Sequence, residues 1–160
     1  MFDRFSEPAR RVVFWARIEA GRVGAETIEP EHILRGLLAE DQGDWVKVMA
    51  SGFEEQPFGV AHRGPLPVPF FSGECAGKLR QVLANSASTG AAKADDVDMP
   101  LAERSQRAIE SALEHAGRST VGLLHILCAL ISDDENSVSH LLKTNGVSVE
   151  QVDNAIRNLQ

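Results

Sequence analysis

Two histidines open nearly identical seven-residue phrases. His32 begins HILRGLL, residues 32–38, and His125 begins HILCALI, residues 125–131. A repeated imidazole invites a metal reading, because neutral histidine nitrogens are good ligands. A helical site would place its second ligand four positions on, and Gly36 and Ala129 stand there. No metal is expected. A histidine at a helix start reads instead as a hydrogen-bonding strut between helices, since buried polar groups find partners. His62, His115 and His140 are scattered. Cys75 and Cys128 form neither a CxxC pair nor a disulfide framework, and Cys128 lies on an apolar helical face, where a free thiol packs as a small core residue. GxSxG is absent, so no nucleophile is marked. GECAGKL, residues 73–79, approaches a phosphate-binding loop. Its glycines are one residue too close, and Leu79 stands where a hydroxyl should hold magnesium. No nucleotide and no other cofactor is expected.

These residues sit in a chain of 160 with 43% hydrophobic and 24% charged residues, ordinary for a folded globular protein. The net charge of −7 disfavours nucleic acid as a partner. No apolar run is long enough to cross a bilayer, and the first residues lack signal-peptide order, so no membrane is expected and the cytoplasm is.

Helical spacing dominates. Ser6, Glu7 and Pro8 suit a helix start, and Ala9, Val12, Val13, Ala16, Ala20 and Val23 make one stripe, ended by Gly24. Pro30 opens a second helix with Ile33, Leu34, Leu37 and Leu38. Trp45, Val48 and Met49 mark a third. Pro57, Pro65, Pro67 and Pro69 exclude a long helix, while Leu79, Val82 and Leu83 support a short one over about 74–85. NSASTGAAKADDVD, residues 85–98, reads as a loop. Apolar stripes resume with Ala108, Ile109, Ala112, Leu113 and Ala116. They continue through Leu124, Leu127, Leu130 and Ile131, then Val138, Leu141 and Leu142. Ser148 with Gln151 forms a capping box for a last helix. The fold class is all-α.

The two heptapeptides belong to a longer repeat. ARRVVFWARIEAGR, residues 9–22, aligns with SQRAIESALEHAGR, residues 105–118. The second copy then lacks three residues, after which Ile28 meets Val121 and the HIL phrases coincide. One such unit cannot bury its stripes alone, and two related by a pseudo-twofold can. The chain is therefore expected to be a single domain, 1–160. It comprises repeat 1 (about 2–53), a linker or insert (54–98) and repeat 2 (about 99–160).

At this point the chain resembles a known family. MFDRFSEPARRVVFWARIEA resembles the opening helix of the double Clp-N domain, the N-terminal module of the Clp AAA+ protein unfoldases. IEPEHILRGLL resembles that family's signature. The resemblance is strong over 2–53, moderate over 99–160 and slight over 54–98. With no ATPase motif present, it implies the N-domain as a stand-alone protein without its motor. It implies non-enzymatic binding of protein substrates, an adaptor or a Clp-type unfoldase, and in one branch the reading of phosphoarginine-tagged proteins. The residues it implicates are Ser6, for phosphate, and Glu31, for the guanidinium. Their repeat-2 counterparts are Ala102 and Leu124, so one site is expected rather than two. Both residues also fit a purely structural part: Ser6 as an N-cap, Glu31 as a first-turn carboxylate. Phe70 and Phe71, in PLPVPFFSG, either cover the core or offer a partner contact. A regulatory interaction protein outside the Clp pathway, or a hydrolase with an unrecognised site, remain alternatives.

Overall fold

The computed structural model describes residues 2–43, 69–86 and 99–158. Seven helices lie within them: α1 (Glu7–Arg22), α2 (Pro30–Gln42), α3 (Gly73–Ser86), α4 (Glu103–Ala116), α5 (Leu123–Ser132), α6 (Ser137–Thr144) and α7 (Val149–Asn158). Among the described residues the extended pairing is limited to isolated bridges, so the all-α expectation is met. The expected helix at Trp45, Val48 and Met49 lies outside the described residues, as do most of the proline-rich stretch and residues 87–98 of the expected 85–98 loop, whose first two residues, Asn85 and Ser86, instead end α3. No helix among the described residues is long and apolar enough to cross a membrane.

Local chemistry sets the helix ends. Ser6 caps α1, its Oγ accepting from the Ala9 N–H at 3.2 Å. The capping box at α7 forms in full. Gln151 Oε1 accepts from the Ser148 N–H at 3.0 Å, and Ser148 Oγ from the Gln151 N–H at 3.2 Å. The shared Ala-Gly-Arg motif ends its two helices differently. In repeat 1 it stays helical to Arg22, whereas α4 stops at Ala116 and Gly117 turns the chain at φ +60°.

One core runs through both repeats. α1 packs on α2 as α4 packs on α5, and α3 packs on α2 as α7 packs on α5. α2 and α5 also meet, and Leu34, Leu37, Leu38, Leu127, Leu130 and Ile131 are all but fully buried in the shared core. Each such side chain contributes about 1.5–3 kcal/mol by leaving water. Gly36 lets the first pair approach closely, since a Cβ there would stand 2.4 Å from the Val12 carbonyl oxygen. Arg11, Trp15 and Ile18 are buried besides the expected stripe, which makes the inward face of α1 wider than the spacing of its small apolar residues indicates.

Two short parallel bridges join the repeats, Phe5 with Val121 and Ile28 with Leu101. The Ser6 N–H donates to the Val121 carbonyl and the Val121 N–H to that of Arg4, both at 2.8 Å. Matching bonds run from Ile28 N–H to Pro100 (2.9 Å) and from Ala102 N–H to Ile28 (3.0 Å). By the repeat alignment Phe5 corresponds to Leu101 and Ile28 to Val121. The two bridges are therefore pseudo-twofold mates, and each ties the start of one repeat's first helix to the other repeat's second.

Candidate functional site

The crossed bridges decide which residues can share a site. Ser6 flanks the Phe5–Val121 bridge, beside the second-repeat segment that leads to Leu124. Glu31 follows the Ile28–Leu101 bridge, beside Ala102. Ser6 and Glu31 thus stand beside different bridges, and Glu31, but not Ser6, lines the cleft described next. Each bridge retains one polar group of the two. The Ser6 hydroxyl is occupied as the α1 cap.

Glu31 opens onto a cleft of about 610 Å³. The α1–α2 turn, the first turns of α2, the end of α3 and the start of α6 form its walls. The turn matters because it holds the three residues that repeat 2 lacks. Val23, Ala25, Glu26 and Thr27 all line the cleft. Glu31 Oε1 accepts from the Ser137 Oγ–H at 2.5 Å, across 106 residues of sequence. Glu29 Oε1 accepts from the Thr27 hydroxyl at 2.9 Å. Arg35, the guanidinium on the wall, donates to the Leu83 carbonyl at 2.6 Å and lies 3.5 Å from Glu19 Oε2. The cleft thus carries three carboxylates, Glu26, Glu29 and Glu31, against one arginine that is engaged on both sides. Val82 of α3, 40% exposed, is the large apolar side chain left open among the described residues, and it lies on this wall.

The repeated histidines cap their own helices rather than strutting between them. His32 Nδ1 accepts from the Glu29 N–H at 2.9 Å, and His125 Nδ1 from the Gly122 N–H at 3.0 Å. Each sits at the third helical position and does what Glu or Gln does in a capping box. Accepting at Nδ1 requires a neutral ring. Burial pushes both imidazoles below their ordinary value of 6.5, outweighing Glu31 at His32 and acting with His115 at His125.

Phe71 is 3% exposed and sits in the core, so its ring presents no open contact surface. Phe70 is half-buried and meets it edge-on at 5.0 Å. The exposed-contact expectation is corrected accordingly: this pair covers the core. Buried Asp41 fixes the segment, accepting from the Phe70 N–H at 2.8 Å and the Phe71 N–H at 3.0 Å. Cys128 is buried as expected. Burial raises the pKa of both thiols, so neither is activated.

The sequence reading missed Val82 as a surface residue, and Arg35 and Ser137 as cleft residues. The acidic run Glu26–Glu31 together with the three-residue insertion could have marked the cleft. Nothing local could have tied Ser137 to Glu31.

Two helical repeats joined by crossed bridges define the class, an all-α tandem-repeat domain. No family model matches the chain. It is 29% identical over 154 residues to the negative regulator of genetic competence ClpC/MecB of Bacillus subtilis, covering 94% of this chain and 16% of that protein. It is 30% identical over 155 residues to the chloroplastic chaperone protein ClpD2 of Oryza sativa, covering 95% and 15%. Its fold matches the N-terminal domain of the chaperone ClpD from Arabidopsis thaliana (TM-score 0.66, 22% identity, 100% of both chains). It also matches that of Hsp104 from Candida albicans (TM-score 0.59, 17% identity, 92% and 85%). The resemblance seen in the sequence is borne out. The chain has the fold of the Clp N-terminal domain, and its sequence similarity to Clp ATPases spans nearly all of it while covering about a sixth of their length.

Proposed function

We propose that the chain is a non-enzymatic protein-binding module, accessory or adaptor-like, in Clp-dependent protein quality control in the cytoplasm. It engages a segment of a substrate, an adaptor or the unfoldase itself. The observation that carries this is the cleft at Glu31, which combines the volume of a ligand site with the exposed apolar Val82. Phosphoarginine is the finer ligand the family resemblance suggests. The Glu31 carboxylate supports the guanidinium half of that reading. The phosphate half has no support at this cleft, because Ser6 caps α1 at the other bridge.

The test is selection of random displayed peptides on the immobilised protein, with Val82→Asp in parallel. Enriched peptides that bind the wild type and lose binding to Val82→Asp support the reading. Failure to enrich any peptide overturns it.

A further inference from the structure

We infer that the Glu31 cleft takes an unmodified cationic side chain, arginine or lysine, presented by a partner protein with an apolar neighbour; this rests on the protein-binding reading above.

The charges point this way. Glu26, Glu29 and Glu31 all line the cleft. Arg35 does not offset them as a free cation, because Glu19 and the Leu83 carbonyl hold its guanidinium. Ser137 steadies Glu31 by donating to Oε1, which leaves Oε2 as an acceptor for an N–H donor. The walls suit the stem of such a residue. Val23, Val82 and Leu141 supply apolar surface along which the methylenes of Arg or Lys can lie while the charged head reaches the carboxylates. The volume accommodates that side chain and a flanking residue.

The same surroundings oppose a phosphate. Two helices begin at the cleft, and a helix start ordinarily favours an anion. Here those donors are largely spent. Pro30 has no N–H, the His32 N–H bonds to the Glu29 carbonyl, and the Val138 N–H bonds to Asn136 Oδ1. The Ser137 hydroxyl is committed to Glu31, and Ala102 brings no hydroxyl to this bridge. A phosphate would meet carboxylates without a cation to balance it.

The experiment is an NMR titration of the 15N-labelled protein at pH 7.5. The probes are acetyl-Leu-X-Leu-amide peptides in which X is Arg, Lys, Glu or phosphoarginine. The Arg and Lys peptides are expected to shift the amides of Glu31, Ser137 and Leu141. Glu31→Gln, which keeps the shape and a partner for Ser137, is expected to weaken them roughly tenfold. Added salt is expected to weaken them further. The inference is overturned if the phosphoarginine or Glu peptide binds as tightly as the Arg peptide, if Glu31→Gln changes nothing, or if no peptide binds at millimolar concentration. The peptide selection separates the two readings. Val82-dependent peptides that lack any basic residue sink this inference and leave the protein-binding function standing.

Discussion

Arg11 of α1 grips Glu40 of α2 in a buried two-point ion pair. Its Nε lies 3.0 and 3.1 Å from the two carboxylate oxygens, and its Nη2 lies 2.5 Å from one of them. Glu40 is fully buried and Arg11 4% exposed. In repeat 2, Arg107 stands at the position of Arg11 and pairs with Glu135 at 3.6 Å in open solvent. Asp133, not Glu135, stands at the position of Glu40, so the second arginine has taken a different and exposed partner.

Removing Glu40 therefore takes the two-point partner from a buried guanidinium, which keeps Glu7 at 3.8 Å, whereas Arg107 lies in solvent either way. Glu40→Ala is expected to cost about 3–5 kcal/mol. Glu135→Ala is expected to cost under about 1 kcal/mol. Arg11→Met combined with Glu40→Leu should recover most of the first loss. Urea denaturation of the three variants checks this, and equal costs at Glu40 and Glu135 would contradict it.

The histidine caps make stability depend on pH. Folding lowers both imidazole pKa values below 6.5, because burial disfavours the charged ring. Below 6.5 the unfolded chain binds more protons than the folded one. The contribution is thus fully present above pH 6.5 and is lost as pH falls through the folded-state values. Replacing both histidines with Gln keeps an acceptor for each cap and should flatten the slope of stability between pH 7 and 5. His125→Ala should cost about 1 kcal/mol at pH 7.5. Thermal melts across that range read both effects.

Gly36 and Ala129 occupy matching positions, and a Cβ at the first would meet the Val12 carbonyl oxygen. Gly36→Ala must push α2 from the Val12 carbonyl, at about 1–3 kcal/mol. Ala129→Gly should cost about 1 kcal/mol through helix propensity and roughly as much again through its lost buried methyl. Denaturation midpoints decide, and a neutral Gly36→Ala would mean that the α1–α2 spacing is softer than described.

Asp41→Ala leaves the Phe70 and Phe71 N–H groups without their acceptor. A loss of about 1–3 kcal/mol is expected. Hydrogen exchange should quicken at those two amides and along α3 before it does in repeat 2.

Much of this fold was legible in the chain. Apolar spacing at three and four residues located the helices, because burial on one face is what such spacing encodes. Ser6 and the Ser148–Gln151 box gave their caps through contacts three residues apart. The repeat implied a pseudo-twofold. The site was less legible, since its partners are remote. Ser137 reaches Glu31 only after the halves dock, and the separation of Ser6 from Glu31 follows from crossed bridges that no local pattern records. Val82 fitted the α3 stripe by spacing but faces outward, because Leu79 and Leu83 already fill the side toward α2.

The crossed bridges bear on inheritance as well as on packing. Each face of the molecule has one wall from either copy of the repeat, so neither copy owns a site. Ser137 of the second half, for instance, holds Glu31 of the first. Duplicated genes usually free one copy to drift; here the two copies are joint tenants, and every drift in one rewrites a boundary of the other.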